Sequence, residues 1–366
     1  MPVSSNHLEG KNDAVRFGVF LQPVHHPTEN PTVALERDID LVVSLDKLGY
    51  DEVWVGEHHS TGWENIGSPE VFIAAVAQRT SKIRLGTGVI QLGLHNPLVV
   101  LDRMILLDHL TRGRTSFGVG VGGGLPSDLK VFGLDKELAG ERFDQAMDTI
   151  LQLLEGSAPI DVKTDWFELH NATLQLGPYS KPHMPFAVAS SDPRNVEMMG
   201  RLGGQVLTGP LPDRVPTLVA HLKRGAEAAG RQASHHQVRL SYAMHLAPTR
   251  QQAFDQIRDG AIAEQYEFNV GVNGMAPPSH GPDEWFDGFV DRHIVGAPSD
   301  AIEKIEAIEE ESGGVGGILF TSRDWAGTEP ARTSWELFAR HVAPHFQGGT
   351  ESQHAAAAAA AQLNAE

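Results

Sequence analysis

The sequence predicts a closed (β/α)8 TIM barrel, an α/β fold. Three observations carry that expectation. Eight short apolar runs alternate with helical patterns along the chain, the signature of a parallel sheet. The length, 366 residues, suits one such barrel with insertions. The turn after the first run, Gln22-Pro23-Val24-His25-His26, has no glycine, whereas an open doubly wound sheet usually carries a Gly-rich turn there and fewer strands.

The elements follow in order. Phe17–Leu21 is strand one. Asn30-Pro31 pairs a cap residue with proline at the first helical position and opens a helix. Leu35, Ile39, Val42 and Leu45 then form an apolar face, and Gly49 supplies the stop. Val53–Val55 is strand two, with a helix opening at Ser68-Pro69. Ile83–Ile90 is strand three, with a helix from Asn96-Pro97 to Gly113. Ser116–Val121 is strand four, followed by a helix over Leu138–Leu154. Residues 157–182 break the rhythm and read as a hairpin-like insertion. Strands five to eight are Phe186–Val188, Gln205–Leu207, Leu240–Leu246 and Gly317–Phe320. Helices are expected near 194–202, 213–229, 250–265 and 299–311, and a last one over Thr333–Val342. Residues 268–297, rich in Gly and Pro, form a second insertion between strands seven and eight.

One barrel domain over residues 15–346 is thus expected. It is flanked by a flexible N-terminus, 1–14, and a tail, 347–366, that reads as a frayed helix or a disordered segment. Apolar residues make up 41%, a globular composition. The net charge of −18 speaks against nucleic acid or anionic membrane as partner. Without cysteine there is no disulfide, thiolate metal site or thiol nucleophile. No signal peptide and no run of membrane-spanning length is visible, so a cytoplasmic protein is expected.

A closed barrel places its chemistry just after the C-terminal ends of its strands. After strand two come Glu57-His58-His59, and imidazole can move a proton or stabilise an anion near neutral pH. After strand three, Gly86-Thr87-Gly88-Val89 either lets a flat ligand approach the backbone or marks a bend in the barrel. After strand four, Gly118 to Gly124 holds five glycines, with Gly120, Val121 and Gly122 at its centre. Such a loop can cradle an anion or act as a hinge. After strand five, Ser190-Ser191-Asp192-Pro193-Arg194 either receives a phosphate or simply caps a helix. The pairs His25-His26, His58-His59 and His235-His236 invite a metal reading. Only Glu57 clearly joins them as a strand-end carboxylate, so no metal site is expected. Trp54, Trp63, Trp166 and Trp285 read as packing residues.

Together these residues resemble the bacterial-luciferase-like flavin monooxygenases. The resemblance runs through Leu48-Gly49-Tyr50-Asp51, Trp54, Glu57-His58-His59, Gly86-Thr87-Gly88-Val89, Asn96-Pro97, Leu110 to Arg114, Val131 to Asp135 and Val188 to Ser191. Glu64-Asn65-Ile66, Pro69-Glu70, Ser334 to Arg340 and Pro344-His345-Phe346 resemble the limonene monooxygenase and type II Baeyer–Villiger branch. Only residues 268–297 match poorly. The resemblance implies His58 as the catalytic residue. It implies Glu57, Thr87, Gly88, Val89, Gly120, Val121, Gly122, Ser190, Ser191 and Arg194 as flavin contacts, with a non-proline cis peptide at Gly88–Val89.

It also implies reduced FMN, or alternatively FAD, delivered by a separate NAD(P)H-flavin reductase. One atom of O2 is then inserted into a small apolar substrate such as a terpene or cyclic ketone. The chain would work as a homodimer, with the apolar helix Pro97–Leu110 a candidate interface. One position departs from the pattern. Luciferases carry a flavin-contacting arginine after strand four, where this chain has Val121, so the glycine-rich backbone and Arg194 are expected to take the phosphate charge. Three rivals stand beside this reading: a deazaflavin (F420)-dependent oxidoreductase, which Glu57-His58-His59 argues against, a metal-dependent barrel hydrolase, and a non-catalytic flavin-binding relative.

Overall fold

The computed structural model describes residues 14–364. The N-terminal segment expected to be flexible lies, but for Ala14, outside the described residues. Twelve strands form: β1 Arg16–Leu21, β2 Glu52–Val55, β3 Arg84–Thr87, β4 Ile90–Gln91, β5 Thr115–Gly120, β6 Ile160–Lys163, β7 Glu168–Ala172, β8 Phe186–Val188, β9 Gln205–Thr208, β10 Val238–Leu246, β11 Ile294–Gly296 and β12 Gly317–Thr321. Eight of them, β1-β2-β3-β5-β8-β9-β10-β12, pair in parallel, and β12 returns to β1, closing the barrel.

The cap signals work as their chemistry dictates. Asn30, Asn96 and Asp192 each accept a backbone N–H from the first helical turn, and each is followed by proline. Ser68 holds the same position without a side-chain cap bond. The helices pack an apolar face on the outside of the sheet, and one continuous core fills the space between them.

The barrel interior is layered. At the floor, Glu52 and Arg239 form a fully buried ion pair, Nε to Oε1 at 2.5 Å. Above them Trp54 spans the interior, 1% exposed. A side chain at Gly86 would strike its ring at 2.4 Å, so Gly86 makes room for Trp54 and not for a ligand. Of the two readings of the small residues in strand three, barrel packing accounts for this one. Above Trp54 the interior opens into a cavity.

Several elements depart from the sequence reading. Strand three is broken: Ile90–Gln91 continues as a separate strand on β5, after the Gly88–Val89 cis peptide that the resemblance implied and that is present here. The hairpin insertion is there as β6 and β7, antiparallel. A short helix, Pro126–Val131, sits inside what reads as loop. The helix Arg250–Ala263 runs into π-helical turns, Glu264–Val272. The second insertion supplies the helix Pro282–Arg292 and β11, which adds to β10 outside the ring. The last barrel helix starts earlier than expected, at Thr328, and turns π-helical over Phe338–Val342. Glu351–Leu363 is helical with every residue exposed. Among the described residues no helix is long and apolar enough to cross a membrane.

Candidate active site

The cavity occupies about 1060 Å³ at the C-terminal ends of the barrel strands. Glu57, His58, Gly88, Val89, Gly120, Val121, Gly122, Ser190, Ser191 and Arg194 all line it. Thr87 does not. Its hydroxyl is buried, donating to Gly118 O at 2.8 Å and accepting from Gly118 N at 2.9 Å, so it ties β3 to β5. His235 and His236 precede β10 and lie at the opposite end of the barrel.

His58 is the electrostatic centre. Its Nδ1 bonds Asp128 Oδ2 at 2.8 Å, and its Nε2 pairs with Glu64 Oε2 at 2.9 Å. Asp128 is held by three further donors, the backbone N–H of His59, the hydroxyl of Ser60 and the amide of Gln91. Burial pulls the imidazole pKa down, but the two carboxylates outweigh it and raise it to about 9. Burial likewise pushes Asp128 up, and His58, Ser60 and the His59 N–H bring it down to about 2. His58 is therefore an imidazolium at neutral pH: a proton donor and fixed cation, not a neutral base. Its Nε2–H lies against Glu64 at the cavity wall.

Both shifts tie stability to pH, with opposite signs. The raised His58 pKa stabilises the fold fully below its ordinary 6.5, and that contribution is lost as pH climbs through about 9. The depressed Asp128 pKa contributes above its ordinary 3.8 and is lost as pH falls through about 2. An NMR titration is expected to place the His58 midpoint near 9 and to move it toward 6.5 in Asp128→Asn; a wild-type midpoint below 7 would contradict the pairing.

Glu57 sits behind His58, fully buried. Its Oε1 lies 2.7 Å from Nε2 of both His59 and His95, and its Oε2 accepts Gln91 N at 3.0 Å. Burial pushes Glu57 up, but these partners hold it below its ordinary value. The atoms of Glu57, His59 and His95 are close enough to share a cation, as are those of His25, Glu29 and Asp324. In each set an arginine fixes one imidazole. Arg103 Nη2 lies 3.3 Å from His95 Nδ1, and Arg37 Nη2 lies 3.2 Å from His25 Nδ1. Arginine can only donate, so both Nδ1 atoms accept and the proton sits on Nε2, facing a carboxylate. These histidines are spent on hydrogen bonds.

The far end of the cavity is rich in glycine and carries both basic side chains and the carboxylates of Asp144 and Asp192. Gly122, Gly123 and Gly124 line it, and Gly122 and Gly123 have φ of +87° and +90°, where a side chain would be strained. A Cβ on Gly122 would meet Gln91 Oε1. Asp192 caps the helix Pro193–Leu202 through Arg194 N, so the capping alternative holds for it; Ser190 Oγ accepts from Asp192 N and Asn195 Nδ2, and Ser190 and Ser191 both line the cavity. Arg194 is 76% exposed and contacts Asp144 at 3.6 Å and Asp192 at 3.5 Å. Lys136 and Arg214 line the same cavity and carry no mark in the sequence that singles them out.

Asp128 and Glu64, the partners of His58, are likewise missed by sequence reasoning. Glu64 is visible there only as part of a motif. Asp128 comes from the unexpected helix Pro126–Val131, and only its acidity beside a glycine-rich loop could have drawn notice. Phe268 and Leu125 give the cavity an apolar patch beside Asn269 and Asn273, and the Phe268 ring lies tilted at 5.2 Å from that of Trp63 in a cluster with Val24.

The profile of the family described as luciferase-like monooxygenase matches residues 15–315. The chain is 40% identical over 352 residues to 4-hydroxyprotoasukamycin monooxygenase of Streptomyces nodosus subsp. asukaensis, covering 93% of this chain and 94% of that one. It is 39% identical over 342 residues to limonene 1,2-monooxygenase of Rhodococcus erythropolis, covering 91% and 87%. The oxygenating constituent of 3,6-diketocamphane monooxygenase from Pseudomonas putida, a type II Baeyer–Villiger enzyme solved with FMN, superposes with a TM-score of 0.76. At 21% identity over 90% of this chain and 98% of that one, the likeness is one of fold.

Proposed function

The chain belongs to the luciferase-like monooxygenases, and from that premise we propose that it is the oxygenase component of a two-component flavin system. In this reading it takes reduced FMN from a separate NAD(P)H-flavin reductase and inserts one atom of O2 into a small, largely apolar molecule. Family membership supports a monooxygenase with a flavin cofactor. The observation that carries the finer reading is the polarity of the cavity. A glycine-rich, cation-bearing end fits a phosphate, and an imidazolium faces the other end beside an apolar patch.

The residues present fit such a group. Backbone N–H groups of Gly122 to Gly124, the Ser191 hydroxyl and the side chains of Arg194, Arg214 and Lys136 would hold the phosphate where Val121 offers no charge. Val89 and Gly120 would flank the ring; a Cβ on Gly120 would meet the Val89 side chain at 2.5 Å, so the glycine keeps this wall close-packed. Bound flavin supplies the activation of O2. The chain's own residues position it, exclude water with the apolar side chains of Phe268 and Leu125, and offer a proton at His58 Nε2.

Flavin titration followed by an 18O2 incorporation assay with a reductase present tests this. Tight binding of FMN over a deazaflavin, with label in the product, is expected; no affinity for any flavin overturns the proposal. Arg194→Ala is expected to weaken reduced FMN only two- to fivefold, because so exposed a charge is worth about 0.5–1 kcal/mol. An unchanged dissociation constant removes Arg194 from the site. A homodimer belongs to the same reading, supported by exposed Val99, Leu106 and Leu110 on the helix Pro97–Thr111. Sedimentation at twice the 39.7 kDa chain mass checks it.

A further inference from the structure

Sulfur chemistry in this chain is confined to methionine: the sequence has eight methionines and no cysteine. Met1 lies outside the described residues. Six of the others are packed away. Met104, Met147, Met184 and Met199 are at most 1% exposed, Met244 is 5% exposed and Met198 9%. Met275 stands apart from them at 54% exposed, and it lines the same cavity as His58, Gly88 and Val89. The backbone fixes it there. Met275 N donates to Asn269 O at 2.9 Å and Asn273 N donates to Phe268 O at 2.8 Å, with Gly274 between them at a φ of +68°. The turn that ends the π-helical segment thus holds the thioether at the cavity wall. A thioether needs no activation to react with a peroxide, so access decides which methionine reacts. The activity proposed above supplies the oxidant, because O2 that takes up two electrons and is not passed to a substrate leaves as H2O2.

Resting on the flavin reading for its oxidant, we propose that Met275 is a reversible peroxide-modification site on the cavity wall. One oxygen of H2O2 bonds to Sδ as the O–O bond breaks. Sulfur gives up two electrons, and the other oxygen takes them and leaves as hydroxide. The proton on the oxygen now bound to sulfur joins that hydroxide as water, and the sulfoxide remains. The modification replaces a flexible apolar side chain, in the same lining as Phe268 and Leu125, with a polar one. A chain whose turnover runs to peroxide therefore alters its own cavity. Methionine sulfoxide reductases reverse the change, one enzyme for each sulfoxide epimer.

Peptide mass spectrometry after exposure to added H2O2 is the test, run on the whole protein both folded and unfolded in urea. Unfolded, all eight methionines are expected to gain one oxygen atom at similar rates. Folded, Met275 is expected to keep at least about a third of its unfolded rate, while each of the six buried methionines slows by roughly tenfold or more. The two classes of methionine sulfoxide reductase together are expected to remove the oxygen from Met275 in the folded protein. Met275→Leu, which keeps a similar apolar volume, should leave no fast-reacting methionine among the described residues. Protection of Met275 by about tenfold or more overturns the inference, as does a buried methionine that reacts equally fast, or a Met275 sulfoxide that neither reductase removes. FMN affinity is titrated separately. Its absence would strike the flavin reading and the source of the oxidant, whereas the reaction with added peroxide still decides the site.

Discussion

His58→Ala is expected to leave flavin affinity within about twofold while oxygenated product falls by roughly 10²- to 10⁴-fold, the range associated with a positioned proton donor. O2 uptake should continue, with its electrons appearing as H2O2. The separation follows from where His58 sits. Its partners are Asp128 and Glu64, and none of the cavity cations Arg194, Arg214 and Lys136 pairs with it. Removing the imidazole deletes the cation between two buried carboxylates. His58→Gln keeps a donor of similar reach without the charge and should recover part of the yield. Product and peroxide measured in the same reaction decide it: full coupling in His58→Ala would end the role assigned to this side chain.

The place of His58 at the cavity is legible in the amino-acid sequence; its charge is not. Glu57-His58-His59 stands at a strand end, and strand ends can be read from short apolar runs. The helix starts are equally local, because Asn30-Pro31, Asn96-Pro97 and Asp192-Pro193 carry their caps within two residues. The partners that set the chemistry are not local. Asp128 reaches His58 across 70 positions from a six-residue helix too short to show a period. Arg323 meets Gln22 across 301 positions only because the barrel closes β12 on β1. The π-helical turns Glu264–Val272, which bring Glu264 and Phe268 to the cavity, have no compositional mark that distinguishes them from an α-helix or a Gly-rich loop. Strand three reads as continuous because, Arg84 apart, its residues are apolar or small. The break between β3 and β4 falls at the Gly88–Val89 cis peptide, which the family resemblance implied and residue type alone does not encode.

The floor of the barrel gives the largest expected effect on stability. Arg239 and Glu52 are 1% and 2% exposed and lie 187 positions apart. Arg239 also donates from Nη1 to His236 O at 2.8 Å. The neighbouring strands are shaped around them: a Cβ on Gly18 would come within 2.6 Å of Glu52 Cγ, and one on Gly317 within 2.9 Å of Arg239 Cδ. Two charges so placed have lost their hydration, and each depends on the other to compensate. Removing one partner should therefore cost far more than the pair itself contributes. Glu52→Gln and Arg239→Met are each expected to lose about 3–5 kcal/mol in urea unfolding, a large share of the roughly 5–15 kcal/mol typical of a native domain. The double variant Glu52→Leu with Arg239→Met leaves no orphaned charge and is expected to regain most of that loss, a strong coupling in the mutant cycle. The cavity lies at the other end of the barrel, beyond Trp54, so FMN affinity in folded single variants should match the wild type. Single substitutions costing under about 1 kcal/mol would mean that water reaches the floor and that the barrel interior is neither closed nor dry.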